Sequence, residues 1–370
     1  MNEARSHIAL VLPDLRLGGG QRVFLELARQ FVASGHRVDV VNLTGDGELV
    51  AEVPDGACYK PLMKGRAHSG IRLAWKALPA LTRYLRDARP DAILSSMTGA
   101  NLLTVLARGR AGRQGRLLLR EAASLSNTGS VMTRWLMRLF YPRADALLAV
   151  SAGVAKDLER LGLDPSIIHV IHNPVDAERV RALAAQVKSL PSFCDTPYII
   201  SIGRLTIQKD HGTLLRGYAA SALRHTHRLI VIGEGEQRQA LADLAGKLGI
   251  EDRVELAGSF VNPYPILAGA SLHVLSSRWE GYPNVLLEAL ALRVPVVATD
   301  CPAGPRELLQ GGRYGRLVPV GDHIALAHAM DDELREPTGN RDEVITAHQP
   351  QVVAQRYLAL LNGFDAESEA

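Results

Sequence analysis

Three cysteines in 370 residues, Cys58, Cys194 and Cys301, are odd in number and far apart. That argues against a disulfide framework and gives no spacing for a zinc cluster. No uninterrupted apolar run reaches the about eighteen residues that a membrane-spanning helix needs. The opening MNEARSHIALVLP has only a short apolar run before Pro13 and Asp14, so it reads as a first β-strand and not as a signal peptide. A cytoplasmic chain is expected. The G-x-G-x-x-G spacing is missing after that strand, and no acidic residue ends the second one, so the dinucleotide-binding fingerprint is absent. Acidic residues are scarce over 60–143, where Asp87, Asp91 and Glu121 face sixteen Lys and Arg.

What is present belongs to an ordinary globular protein, with 47% apolar and 22% charged residues. The length exceeds one ordinary core and suggests two domains of roughly 150–200 residues each. The net charge of +3 is uneven, with a balance of +7 over residues 1–180 and −4 over 181–370. The basic half suits an anionic membrane surface, a phosphorylated acceptor or nucleic acid, or is simply a solvated arginine-rich face.

Apolar runs alternate with amphipathic segments in both halves. Strands are predicted at 7–12, 37–43, 91–95, 116–120 and 146–150, then at 198–203, 228–233, 253–257, 272–276 and 294–299. Helices are predicted between them, among others at 22–34, 213–222 and 236–248. Continuously apolar strands alternating with helices imply parallel sheets covered on both faces, hence two doubly wound, Rossmann-like α/β domains. The join is expected within 173–197, where Pro174, Pro191 and Pro197 flank one helical piece at 177–188. Ligands of such sheets bind beyond the carboxyl ends of the strands, and clefts between domains are common binding sites.

The candidate motifs all fall at strand ends. Gly18-Gly19-Gly20 follows the first strand and either approaches an anion at a helix N-terminus or is a flexible turn. Gly203, Arg204 and Lys209 follow the strand at 198–203. A guanidinium fork and an ammonium there suit a diphosphate, or are two solvated surface cations. Asp210 is placed to cap the next helix. Gly233 and Gly235 bracket a third turn, which either holds a ligand near the backbone or only reverses the chain. The most specific stretch is RWEGYPNVLLEAL, residues 278–290. Glu280 precedes a Gly-Tyr-Pro-Asn turn, Asn284 is a natural N-cap, and Glu288 lies one turn into an otherwise apolar helix. A carboxylate, backbone amides and a second carboxylate facing one volume suit sugar and ribose hydroxyls beside a phosphate. The plainer alternative is a structural ion pair for Glu288 and a surface Glu280.

Glu280 to Glu288 resembles the E-x7-E motif of the retaining glycosyltransferases of family 4, which have the GT-B fold. G-R-L-x4-K-D at 203–210, H-N-P-V-D at 172–176, the Gly-Gly-Gly turn and D-C-P-A-G-P-R-E-L-L at 300–309 are similar to that family's segments, in its order and over nearly the whole chain. The last segment resembles members that move hexose or HexNAc in lipid-linked oligosaccharide or surface-polysaccharide assembly. The resemblance implies an N-terminal, acceptor-side Rossmann-like domain over 1–176, a linker over 177–196 and a nucleotide-sugar-binding domain over 197–348. It further implies a helix over 349–370 that returns to the first domain, and a central cleft between the domains. Arg204 and Lys209 would bind the donor diphosphate and stabilise the departing charge. Glu288 would bond the ribose, and Glu280 the donor sugar. Gly281, Tyr282, Pro283, Asn284 and Val285 would help through their backbone, and Gly19, Gly20, Gly203 and Gly233 would approach the nucleotide.

Many relatives place a histidine or aspartate near the sugar where this chain has Arg120 and Glu121, which are therefore expected at the donor–acceptor junction. No D-x-D metal motif occurs, so no metal and no cofactor are expected beyond the nucleotide sugar, a UDP-sugar by resemblance. The acceptor expected is a sugar or a polyprenyl-diphosphate-linked glycan, with nucleic acid not expected. The stretch 132–141, MTRWLMRLFY, mixes arginines with large apolar residues. It is read either as a peripheral contact with the inner face of the cytoplasmic membrane or as a core helix with a basic edge. Two other functions remain open on these residues: an epimerase-like isomerase acting on a UDP-HexNAc, and a non-catalytic binder of sugar nucleotides or nucleic acid.

Overall fold

The computed structural model describes residues 5–63, 71–125, 130–186, 190–339 and 342–363. Residues 64–70, which carry Lys64 and Arg66 of the basic stretch, residues 126–129, residues 187–189 of the expected linker, and the tail 364–370 lie outside them. The chain divides into two compact units, residues 1–174 with 350–370, and residues 175–349.

The first unit holds β1 (His7–Leu12), β2 (Arg37–Asn42), β3 (Ala57–Pro61), β4 (Ala92–Ser96), β5 (Arg116–Glu121), β6 (Ala146–Ala149) and β7 (Ile168–Val170). Their order in the parallel sheet is β3-β2-β1-β4-β5-β6-β7. The connecting helices include α1 (Gly19–Ala33), α2 (Ile71–Ala88), α3 (Thr98–Arg110), α4 (Val131–Phe140) and α5 (Ala152–Arg160). Every residue of β1 is buried, as expected of a central strand covered on both faces. The helix α1 turns Val23, Phe24, Leu27, Ala28 and Phe31 onto that sheet at helical spacing.

The second unit repeats the plan with β8 (Tyr198–Ile202), β9 (Arg228–Ile232), β10 (Val254–Gly258), β11 (Leu272–Leu275), β12 (Val296–Thr299) and β13 (Arg316–Val318), ordered β10-β9-β8-β11-β12-β13. Its helices are α6 (Ala177–Ala184), α7 (His211–Ala220), α8 (Arg238–Lys247), α9 (Tyr264–Ala268), α10 (Asn284–Ala291), α11 (Pro305–Leu308), α12 (His323–Arg335) and α13 (Asp342–Ala347). Residues 177–184, expected within a linker, form α6 of this unit and pack on α9 and α10. Arg181 Nε donates to the Ala291 carbonyl at 2.9 Å, and Asn262 Nδ2 to the Leu183 carbonyl at 2.9 Å.

The last helix, α14 (Pro350–Leu361), belongs to the first unit. It packs on α1 and sends Val353, Ala354, Tyr357 and Leu358 into that core. Both sheets reverse their strand order once, between β1 and β4 and between β8 and β11. Adjacent crossovers leave in opposite directions there, and a crevice opens beyond the strand ends.

Candidate active site

The reversal in the second sheet brings together the segments that follow β8 and β11, which are the two that carry the principal motifs. Gly203 N donates to the Ile232 carbonyl and Leu205 N to the Glu234 carbonyl, both at 2.9 Å. A Cβ on Gly233, at φ +148°, would lie 2.0 Å from Gly203 O, and one on Gly235 would lie 2.3 Å from Leu205 O. These two glycines let one strand-end turn seat on the other, so Gly233 serves backbone packing within the unit. The side of Gly233 where a side chain would stand is taken by Gly203, and the residue remains half-buried.

The turn ends at Asp210, in the left-handed region at φ +44°. Its carboxylate caps α7 as expected, accepting from Thr213 N at 3.4 Å and Thr213 Oγ1 at 2.9 Å, and it also holds Arg278 Nε at 2.9 Å. The segment after β11 is laced to this turn. Arg278 N donates to Gln208 O at 2.8 Å, Gln208 Nε2 to Trp279 O at 2.9 Å, and Ser276 Oγ to Lys209 O at 2.9 Å.

Lys209 Nζ meets Glu280 Oε1 at 2.5 Å, and Ser277 Oγ donates to the same oxygen at 2.6 Å. The ammonium and the carboxylate are 17% and 7% exposed. Burial, reinforced by Lys209, pushes His211 down to about 4 and His273 down to about 3, so both imidazoles are neutral around Lys209 near neutral pH. Burial first and then the Glu280 charge push the Cys301 thiol up to about 12, which keeps it an inert thiol. Arg204, in the same turn as Lys209, is exposed. Its Nη2 reaches Gln208 Oε1 at 3.4 Å, and among the described residues it makes no ion pair.

The loop between Glu280 and α10 is fixed by its neighbours. A Cβ on Gly304, at φ +92°, would stand 2.7 Å from Pro283 Cδ and 2.9 Å from Gly281 O. Tyr282 is buried, stacks on His348 and bonds its Nε2 at 2.5 Å. Pro283 occupies the cap position of α10 and Asn284 is its first helical residue, with no side-chain cap bond. The expectation that Asn284 caps the helix is thus corrected by one position, because the fixed φ of proline sets the helix entry. Val285 and Glu288 are half-buried on the first turns, and Glu288 Oε1 accepts from Tyr264 OH at 3.1 Å.

The first unit places its candidates differently. Gly18 is extended, Gly19 opens α1, and a Cβ on Gly20 would meet nothing within 4 Å. Arg120 and Glu121 do not face open space. Arg120 is fully buried, donating from Nε to Tyr357 OH at 3.1 Å, from Nη1 to Ser96 Oγ at 3.0 Å and from Nη2 to Asn173 Oδ1 at 2.5 Å. Glu121, 2% exposed, accepts from Tyr141 OH, from Asn101 Nδ2 at 2.9 Å and from Thr98 Oγ1 at 3.0 Å. Burial raises the Glu121 carboxyl above its ordinary value. A ligand-contacting role at the donor–acceptor junction is therefore corrected. Arg120 ties β4, Asn173 and α14 together, and Glu121 ties β5 to α3 and Tyr141.

The basic stretch becomes α4, capped by Ser130. It exposes Val131, Met132, Trp135 and Leu139 beside exposed Arg138 and Arg143. Among the described residues, no helix is long and apolar enough to cross a membrane. Ser277, Tyr264 and Arg278 were not singled out from sequence. Ser277 lies three residues before Glu280, a spacing that signals a turn partner, whereas Tyr264 reaches Glu288 only through the fold.

The chain matches two family models: glycosyltransferase family 4 over residues 17–179, and glycosyl transferases group 1 over 196–336. It is 32% identical to a Campylobacter jejuni enzyme named N-acetylgalactosamine-N,N'-diacetylbacillosaminyl-diphospho-undecaprenol 4-alpha-N-acetylgalactosaminyltransferase, covering 90% of this chain and 93% of that one. It is 30% identical to the Rhizobium meliloti lipopolysaccharide core biosynthesis glycosyltransferase LpsE, covering 93% and 96%. Among solved structures, Anabaena HepE in complex with UDP-glucose superposes with a TM-score of 0.80 at 17% identity, over 97% of this chain and all of that one. The galactosyltransferase WaaB of the lipopolysaccharide outer core superposes at 0.72 and 20% identity, over 96% and 99%. At such identities the structures report the fold, which is the two-sheet GT-B architecture.

Proposed function

This chain belongs to the family 4 (group 1) glycosyltransferases, and on that premise we propose that it moves a hexose or HexNAc from a UDP-sugar, with retention, to a glycan acceptor carried on a polyprenyl diphosphate or another lipid. The observation that carries the reading is the Lys209–Glu280 pair at the strand-order reversal, with Arg204 exposed in the same turn as Lys209 and Glu288 one turn into α10.

The diphosphate lies against Arg204 and Lys209, whose positive charge stabilises the charge that develops on the departing nucleotide. Because Lys209 already holds Glu280, donor binding divides the ammonium between carboxylate and phosphate, and Glu280 becomes free to turn an oxygen to the sugar hydroxyls. Glu288 takes the ribose. The backbone of 281–285, held in shape by Gly304 and Tyr282, lines the sugar and phosphate. Neither carboxylate is a general base in this scheme: one keeps its bond from Ser277 and turns to the sugar hydroxyls, the other is engaged by a tyrosine. That suits departure and attack on one face of the sugar, hence retention. The cations take the part that a divalent metal plays in other transferases. The names of the relatives, with lipid-diphosphate and lipopolysaccharide substrates, support the acceptor class. The exposed apolar ridge of α4 would rest at an anionic membrane surface that carries it.

The test is a thermal-shift screen with UDP-, GDP- and ADP-sugars on the wild type, Glu288→Ala and Lys209→Ala. A UDP-sugar is expected to stabilise the wild type and to lose that effect in both variants; no stabilisation by any nucleotide sugar sinks the donor assignment. UDP release that requires a glycan acceptor supports transfer, and sugar interconversion without acceptor would return the isomerase.

A further inference from the structure

A cavity of about 320 Å³ opens on the second unit between α7 and α8, a size that suits a small ligand. Neither Lys209, Glu280 nor Glu288 lines it. Three cations do, Arg216, Lys247 and Arg278, against one carboxylate, Asp210. That carboxylate is already engaged by Arg278 Nε, Thr213 Oγ1 and the α7 backbone. Arg216 and Lys247 have no ion-pair partner among the described residues, although both stand at the cavity. An unneutralised pair of cations around a concavity is an electrostatic invitation to an anion.

Two further features point the same way. The first turn of α7 lines the cavity through His211 and Gly212, so the positive end of a ten-residue helix adds to the field. His211 is only 3% exposed and lines the cavity, and no group among the described residues satisfies its Nδ1. A buried ring nitrogen left unpaired costs free energy that a bound ligand can recover. The remaining lining is apolar, with Ile207, Ala240 and Leu244.

We propose that this cavity is a second, non-catalytic site for a small phosphate ester, with the phosphate among Arg216, Lys247 and Arg278 and the body of the ester over Ile207, Ala240 and Leu244. A dianion matches three cations and a helix terminus better than a carboxylate does. The site is coupled to the transfer site by chain connectivity. Asp210 follows Lys209 directly. Arg278 stands two residues before Glu280 and donates its backbone N–H to Gln208. A phosphate drawing on Arg278 competes with Asp210 for the guanidinium, and both segments that carry the Lys209–Glu280 pair feel the change. Binding at either site therefore alters affinity at the other, by the same factor in both directions.

Isothermal titration of the full chain with phenyl phosphate and with inorganic phosphate tests this, beside Arg204→Ala and the double variant Arg216→Ala/Lys247→Ala. All three substituted side chains are exposed, so the fold is expected to persist, and circular dichroism checks it. Phenyl phosphate should bind more tightly than inorganic phosphate because of the apolar lining. It should bind about equally to Arg204→Ala, and about tenfold or more weakly to the double variant. Unchanged binding in the double variant overturns the proposal. So does a loss confined to Arg204→Ala, which would return the anion to the donor diphosphate position. Capture by phosphatidic acid vesicles without any binding of phenyl phosphate overturns it in favour of a lipid headgroup. None of these outcomes depends on which nucleotide sugar is the donor, so the two readings stand or fall separately.

Discussion

Lys209 sits among groups that either carry the opposite charge or have given up their own: Glu280 on one side, neutral His211 and His273 on the other. Its partner is the more buried of the two, so removing the ammonium strands a carboxylate. Lys209→Ala should lower unfolding free energy by about 2–4 kcal/mol in urea titrations. Glu280→Gln should cost clearly less, since a partly exposed ammonium keeps some water; equal stability of Lys209→Ala and wild type would contradict a structural share for the pair. Two glycines give the complementary contrast. Gly233→Ala forces a Cβ to within 2.0 Å of a carbonyl at φ +148°, and should destabilise by more than about 2 kcal/mol. Gly20→Ala meets no neighbour. It should leave stability unchanged or raise it by about 0.5–1 kcal/mol, while transfer slows if donor phosphate approaches the α1 terminus. Measuring melting and turnover on the same two proteins separates fold from function.

Among the elements, α4 turns apolar side chains outward, exposing Val131, Met132, Trp135 and Leu139. Trp135 is 55% exposed and Met132 63%, next to exposed Arg138 and Arg143. The sequence alone could not choose between core helix and surface helix, because its apolar residues recur at a spacing that fits either. The fold decided it by fully burying Met137 alone in this helix, half-burying Leu136 and Phe140, and leaving Val131, Met132, Trp135 and Leu139 exposed. Sedimentation with anionic vesicles should retain the protein at low salt and release it as salt rises. Trp135→Ala with Arg138→Ala should reduce retention several-fold, and indifference to both changes would remove α4 from the contact. Three of the edge strands show the same limit of sequence. Ten strands were legible as apolar runs, but β3, β7 and β13 were not. β3 is half-exposed and ends in Pro61, while β7 and β13 are three residues each. Such strands are specified by the neighbour they pair with and carry little pattern of their own.

At the scale of the second unit, His273 is fully buried on β11 and, among the described residues, both its ring nitrogens lack a hydrogen-bond partner. With His211 it ties stability to pH. Both have native values far below the unfolded value of about 6.5, so the unfolded chain binds protons that the native unit refuses. Stability contributed by each is complete above about pH 6.5. It falls as pH drops towards about 4 for His211 and about 3 for His273, at up to about 1.4 kcal/mol per pH unit for each. His273→Leu should unfold at equal or higher urea at pH 7 and show a shallower decline between pH 6.5 and 5. A slope identical to wild type would mean that His273 does not stay neutral in the native unit.

The sequence by itself determined the two parallel α/β units, the central strands, the strand-end positions of Arg204, Lys209 and Glu280, and the place of Glu288 on the helix that follows. Apolar runs and glycine turns are local signals, and each of those residues follows one. Tertiary structure decided who faces whom. It joined Lys209 to Glu280 across 71 intervening steps of chain, because the sheet reverses its strand order between β8 and β11. It took Arg120 and Glu121 out of the candidate site, because a residue at a strand end can turn to either face and here both turn inward to Tyr357 and Tyr141. It also gave Gly233 to a neighbouring carbonyl and left Gly20 open, a difference that two glycines in similar turns cannot announce, since a residue without a side chain records only that something must come close.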